Sequence, residues 1–274
     1  VDHRLDGKPI LPVAVAMELM AEIAQRGWPD LKVIGLRDLR VLKGLAVDNG
    51  GRKIRVAARV HVEPPHDRLG VDVHAEILDA GAPAMKYYRC TVELAPELPV
   101  PPVHETAFGP DLRPYPLSVE EFYRDLLFHG PIFQGIREIR GISPNGMLAI
   151  LGSSKPGSCL RSDPGGRWLI DPVVFDSGLQ LALLWSRAHL DMTPLPAGYR
   201  AYRRFGSIED GKLRCEMRIS SRPADQMFHI DVAFIAEDGR LLGLLEGMEC
   251  PYSKALNRLA GGHLREWPTA QEGR

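Results

Sequence analysis

Pro12-Val13-Ala14-Val15-Ala16-Met17-Glu18-Leu19-Met20-Ala21-Glu22-Ile23 is the stretch that decides how this chain folds. Proline suits a first helical turn, because its fixed φ is right and its missing N–H would have had no partner there. Val13, Val15, Met17, Leu19, Met20 and Ile23 then occupy every face. A helix apolar nearly all round is wrapped on all sides, not laid on a surface. A second such helix is expected at 172–188, where Val173, Val174, Phe175, Leu179, Leu181, Leu183, Leu184 and Trp185 repeat the pattern. Strand-like runs follow each helix: 31–43, 52–62, 69–78 and 84–95 after the first, 199–206, 212–221, 227–236 and 240–250 after the second. Their turns carry residues that tolerate positive φ, at Asp48-Asn49-Gly50-Gly51, Asp79-Ala80-Gly81, Glu209-Asp210-Gly211 and Glu237-Asp238-Gly239. The reading is an α+β chain in which an antiparallel sheet curls around one buried helix, twice over.

Between the two units, residues 96–116 hold Pro-Glu-Leu-Pro-Val-Pro-Pro and Gly-Pro-Asp-Leu-Arg-Pro-Tyr-Pro. So much proline cannot be helix or central strand, and reads as an extended linker. The expected division is 1–95, a linker at 96–116, 117–252, and a polar tail at 253–274. An amphipathic helix is expected at 118–128, with Phe122, Leu126 and Leu127 inward. At 274 residues there is ample material for a core, and 34 basic against 35 acidic residues remove the electrostatic case for nucleic acid. No apolar run is long enough to span a membrane. The opening Val-Asp-His-Arg does not read as a signal peptide, so the expectation is a cytoplasmic protein. Cys90, Cys159, Cys215 and Cys250 form no CxxC pair and read as small buried hydrophobes. No histidine has metal-ligand spacing, so no metal is expected.

Four short segments carry candidate chemistry. In His3-x-x-x-Gly7-x-x-x-x-Pro12, an imidazole precedes a glycine-tightened turn and a helix whose first amides point outward. This is either a loop histidine or a base beside free N–H donors. Asp176 and Gln180 lie one helical turn apart, so both project from one face. Burial among Val174, Phe175 and Leu179 should raise the Asp176 pKa and make it a proton donor that Gln180 orients. Asp171, just before Pro172, reads as the helix cap. Phe128-His129-Gly130-Pro131-Ile132-Phe133 is either a turn with core aromatics or a pocket wall. Leu195-Pro196-Ala197-Gly198-Tyr199 leads into Arg200, Arg203 and Arg204, which are either a docking surface for phosphate or an acidic partner, or ordinary solvated charge.

Taken in order, these four segments resemble the dehydratase domains of polyketide synthases, whose pattern is H-x-x-x-G-x-x-x-x-P, G-P-x-F, D-x-x-x-Q/H and a proline-aromatic segment. Leu5-Asp6-Gly7 and Val41-Leu42-Lys43-Gly44 resemble the dehydratases of polyunsaturated fatty acid synthases and related iterative systems. The resemblance spans about residues 2 to 250 and implies a double hotdog fold with a His–Asp dyad, here His3 and Asp176, assisted by Gln180. It implies removal of water from a 3-hydroxyacyl thioester carried on the phosphopantetheine arm of an acyl carrier protein, with no other cofactor. The thioester oxygen would be held by N–H groups near Val13, in a pocket lined by Gly7, Pro12, His129, Gly130, Pro131, Phe133, Pro196 and Tyr199. Carrier docking would fall to Arg200, Arg203 and Arg204, and the partners would be the other domains of a multienzyme synthase and a second copy in a homodimer. Isomerisation, cyclisation, or acyl or carrier-protein docking without catalysis are the alternatives on the same fold. This chain departs from the pattern at His129, where the family usually has tyrosine, and at Val13, where a glycine commonly follows the proline. The strand that leads into the histidine in such domains would lie ahead of residue 1.

Overall fold

The computed structural model describes residues 2–47, 51–60, 70–106, 108–109, 111–160, 165–224 and 226–259. The turn expected at 48–51 and the outer ends of the runs at 52–62 and 69–78 lie partly outside them. A hairpin of β1 (Arg4–Leu5) and β2 (Lys8–Pro9) precedes α1 (Val13–Gly27), which is followed by β3 (Lys32–Val41), β4 (Ile54–Val60), β5 (Val71–Asp79) and β6 (Lys86–Ala95). After the linker come α2 (Val119–Asp125), β7 (Ile136–Ser143), β8 (Gly146–Gly152), a single turn α3 (Pro156–Cys159) and α4 (Pro172–Leu190). The chain then runs through β9 (Thr193–Pro194), β10 (Gly198–Arg204), β11 (Lys212–Ala224), β12 (Met227–Ile235) and β13 (Leu241–Ser253).

The repeat read from the sequence is present in the pairing. The first unit's strands lie in the order β4-β5-β6-β3 and the second's in the mirrored order β10-β13-β12-β11. Where two sheets were expected there is one, because the equivalent strands β3 and β10 pair antiparallel, Tyr202 opposite Leu36, and join the units edge to edge. That seam closes the two strand edges that would otherwise invite pairing with another chain. The second unit is extended by β8 and β7, which the sequence reading missed. Their signal was Asn145-Gly146 between two apolar runs, a hairpin turn.

The two central helices are wrapped unequally. Every residue of α4 from Pro172 to Arg187 is buried, because β8, β9, β11, β12, the 3-10 turn Pro131–Phe133 and α1 surround it. α1 buries Ala14, Ala16, Met17, Met20, Ala21 and Ala24 completely but leaves Val15, Leu19, Glu22 and Ile23 half-buried. Wrapping on every side is thus correct for the second helix and overstated for the first.

Among the described residues of 96–116 there is no helix or named strand, and the segment is tacked down. Arg113 and Ile142 exchange both backbone hydrogen bonds, and the His104 ring meets buried Glu216 Oε2 at 3.0 Å. α2 begins at Ser118 in a capping box with Glu121. The polar tail also needs correcting: β13 runs to Ser253 and a 3-10 turn at Lys254–Leu259 buries Asn257 against Thr193. Cys90, Cys215 and Cys250 are free and buried, and Cys159 partly so. Among the described residues no helix is long and apolar enough to cross a membrane.

Candidate active site

The spacing of the first motif is explained by the hairpin. Asp6 and Gly7 adopt φ of 48° and 75°, the conformation a tight two-residue turn requires. The chain folds back so that Ile10 N–H donates to the His3 carbonyl at 3.0 Å, and the His3 ring Nδ1 lies 3.0 Å from the Ile10 carbonyl. A carbonyl can only accept, so Nδ1 carries a proton and the neutral ring keeps its lone pair on Nε2. Two residues later Pro12 caps α1 with no side-chain hydrogen bond to the helix amides. The helix end headed by Val13 therefore keeps donors to spare.

The second unit supplies a carboxyl. Asp171 caps α4 as expected, accepting from Val173 and Val174 N–H at 2.9 and 3.2 Å and from Ser154. That leaves buried Asp176 free of capping. One turn on, the Gln180 amide donates to Asp176 Oδ2 and to the Phe133 carbonyl, each at 2.8 Å. Gln180 is itself oriented by Tyr123, whose hydroxyl donates to Oε1 at 3.0 Å and accepts from Ile136 N–H at 2.9 Å. Tyr123 was missed in the sequence, where it reads only as one more apolar position on the α2 face. Gln180 thus has its amide direction dictated by a donor on one side and two acceptors on the other.

The segment 128–134 brings the halves together. His3 and His129 form an antiparallel backbone bridge, and Gly130 N–H donates to the Asp2 carbonyl at 2.7 Å. A Cβ on Gly130 would fall 2.9 Å from Asp2 Cα, so the glycine of the Gly-Pro pair is required by this close approach. Phe128, His129 and Phe133 surround His3 with ring centroids 5.2, 5.3 and 6.1 Å away. The His129 Nε2 reaches Asp176 Oδ2 at 3.2 Å. His3, His129 and Asp176 each place one nitrogen or oxygen within 4.8 Å of the others. Such spacing would also suit a divalent ion, but a metal-bound imidazole normally anchors its second nitrogen. His129 Nδ1 is buried with no partner among the described residues, so the donor set suits proton transfer better than a resident ion.

Burial pushes the His3 pKa down, more than the nearby Asp176 pulls it back, so the ring stays neutral below the ordinary histidine value. For Asp176 the expected upward shift is overturned. Burial does push it up, but His129, His3 and the Gln180 amide outweigh this and hold the carboxyl below its ordinary range. The sequence showed the apolar neighbours along the helix; it did not show the two imidazoles.

Other expected residues are placed as follows. Gly7 and Gly130 line an open cleft of about 420 Å³ with Arg4, Asp6, Phe128, His129 and Arg258. Pro131 faces a second cleft, of about 480 Å³, with Gln134, Arg137, Ser154 and Val173. Tyr199 is buried against Phe175, and Pro196 lies on the connection into β10. Arg200 and Arg203 are exposed and both pair with Glu246. Arg204 must be corrected: it is 7% exposed and donates to the Val33 carbonyl and Ser207, inside the protein and out of reach of a docking partner.

A sheet wrapped around two helices in a twofold repeat, with an imidazole from one unit near a carboxyl from the other, defines a double hotdog protein. Residues 111–259 match the family described as polyketide synthase dehydratase N-terminal domain, and residues 1–76 match polyketide synthase dehydratase domain. The chain belongs to the polyketide synthase dehydratase family. It is 28% identical over 202 residues, 71% of its length, to a polyunsaturated fatty acid synthase subunit of Thraustochytrium sp., of which it spans 7%. In fold it is similar to the dehydratase domain from the CurF module of curacin polyketide synthase, with a TM-score of 0.70 and 15% identity over 92% of this chain and 88% of that one. It is also similar to a trans-acyltransferase polyketide synthase enoyl-isomerase, with a TM-score of 0.62 and 14% identity over 91% of this chain and 93% of that one.

Proposed function

We propose that this chain removes water from a 3-hydroxyacyl thioester, presented on the phosphopantetheine arm of an acyl carrier protein, to give the 2,3-enoyl thioester. The observation that carries the reading is the juxtaposition of half-buried His3 with buried Asp176, His3 Nδ1–H being committed to Ile10, which leaves a lone pair on Nε2. His3 Nε2 takes the proton from Cα while the uncapped amides at Val13 hold the thioester oxygen as charge develops. The Cα–Cβ double bond then forms as the Cβ–O bond breaks, and the Asp176 proton converts the departing hydroxide to water. A proton passes back from His3 to Asp176 to reset the site. No electrons leave the substrate, so the step calls for no redox cofactor.

One proton must reside on the pair at the outset, and the two groups titrate together. Both are shifted downward, so the pair sheds that proton below the ordinary histidine value, and the rate should already decline as pH rises through that range. Carrier docking through Arg200 and Arg203 would have to compete with Glu246. The cleft lined by His129, Gly7 and Gly130 is the candidate place for the arm.

The test is mass spectrometry of carrier-bound 3-hydroxyacyl substrate, in both enantiomers, with wild type, His3→Ala and Asp176→Asn. Loss of one water that slows by about 10²–10⁴ in either variant is expected. Normal turnover by His3→Ala would sink the mechanism. Because an enoyl-isomerase shares this fold, unchanged mass with a moved double bond would assign isomerisation instead. Binding without turnover, indifferent to both substitutions, would make it a docking module.

A further inference from the structure

His129 stands at the crossing of the two halves, where the family pattern has tyrosine. Its backbone bridges His3, and its ring stacks on Phe128 with centroids 4.2 Å apart and reaches Asp176. Oδ2 of Asp176 thereby faces two donors, His129 Nε2 at 3.2 Å and Gln180 Nε2 at 2.8 Å. Oδ1 has no hydrogen bond among the described residues. The tautomer follows from the same geometry. Nε2 faces a carboxylate and must carry hydrogen, whereas buried Nδ1 has nothing to donate to. Orphaned buried N–H donors are rarer in folded proteins than under-satisfied acceptors. The groups that face Asp176 are His3, His129 and Gln180, with Tyr123 behind the amide.

We propose that His129 is a positioning residue for Asp176: its Nε2–H and the Gln180 amide together occupy Oδ2, so that the transferable proton is confined to Oδ1. The proposal rests on the dehydratase reading for its catalytic meaning, but the proton placement stands apart from it. Two donors on one oxygen fix the plane of the carboxyl and make Asp176 a stronger acid toward the leaving hydroxyl. The same residue's backbone sets the register of His3, so acid and base are aligned from one point of the chain.

The test uses the whole chain with His129→Phe, which keeps the stack on Phe128 but has no donor, and His129→Gln, which returns an N–H near the position of Nε2. With His129→Phe, kcat should fall about ten- to a hundredfold while KM changes by less than about threefold. The alkaline limb of the pH–rate profile should move to higher pH, because Asp176 then holds its proton longer. His129→Gln should recover most of both effects, which a merely structural role would not produce. An unchanged kcat and pH profile in His129→Phe overturns the proposal. If the wild type fails to turn over at all, ¹⁵N imidazole spectra decide it independently. His3 should appear as the Nδ1–H tautomer and His129 as the Nε2–H tautomer, with the His129 signal shifting in Asp176→Asn. An Nδ1–H tautomer at His129, or no response to that substitution, overturns it.

Discussion

Each half of the molecule wraps a helix, and each helix buries one carboxyl just past its first turn, yet the two carboxyls go opposite ways. In the first half Glu18 accepts from the backbone N–H groups of Leu169 and Ile170 at 2.9 and 2.7 Å, and burial pushes its pKa up to about 8. In the second half burial acts on Asp176 in the same sense, but two imidazoles and an amide hold it below its ordinary range. The donors around Glu18 do not offset its burial, whereas the ring and amide donors around Asp176 outweigh it. Glu18 is therefore a staple between α1 and the segment leading into α4, and Asp176 is the carboxyl to which the proposed function assigns proton transfer. The helix starts differ too: α4 is capped by Asp171, while α1 has no side-chain cap.

The largest effect expected from this contrast is on stability. Above the ordinary glutamate value of 4.5 the unfolded chain has released its Glu18 proton, while the folded chain keeps it up to about 8. The contribution is therefore complete below 4.5 and lost as pH rises from 4.5 to 8, by at most several kcal/mol at one unit per 1.4 kcal/mol. Unfolding of wild type and Glu18→Gln across that range should show a gap that changes with this slope. A pH-independent gap would show that the two amides and Arg204 outweigh burial. A second, smaller effect would come from giving α1 the cap that α4 has. Pro12→Ser should raise the melting temperature and lower kcat about tenfold or more, because a side chain then competes for the amides at Val13. An unchanged kcat would remove those amides from the mechanism. Removing the other cap is the smallest change: Asp171→Ala should cost about 1–2 kcal/mol, or a few degrees in the melting temperature, with kcat little altered.

Much of this was legible locally. The hairpin at Asp6-Gly7, the Pro12 and Asp171 helix starts and the Ser118 capping box are encoded within a few residues each, and each formed where its residues required. Apolar spacing placed α1, α4 and eight of the strands, since burial is written in periodicity. The β7–β8 pair was missed despite Asn145-Gly146, because a repeat of one helix followed by four strands has no place for strands ahead of the second helix. Tyr123 was legible only as apolar, since nothing near it in sequence indicates that its hydroxyl meets Gln180.

The sequence by itself determined the elements, the twofold repeat and which residue types could move protons, because caps, turns and periodicity act over one or two turns of chain. Only the tertiary structure decided that β3 and β10 fuse the units into one sheet, and that Arg204 serves the interior. It also decided that His129 lies beside both His3 and Asp176. The physical reason is range: a pKa at a buried site depends on charges and donors within a few ångströms in space, and here those come from residues 3, 129, 176 and 180, which no local pattern brings together.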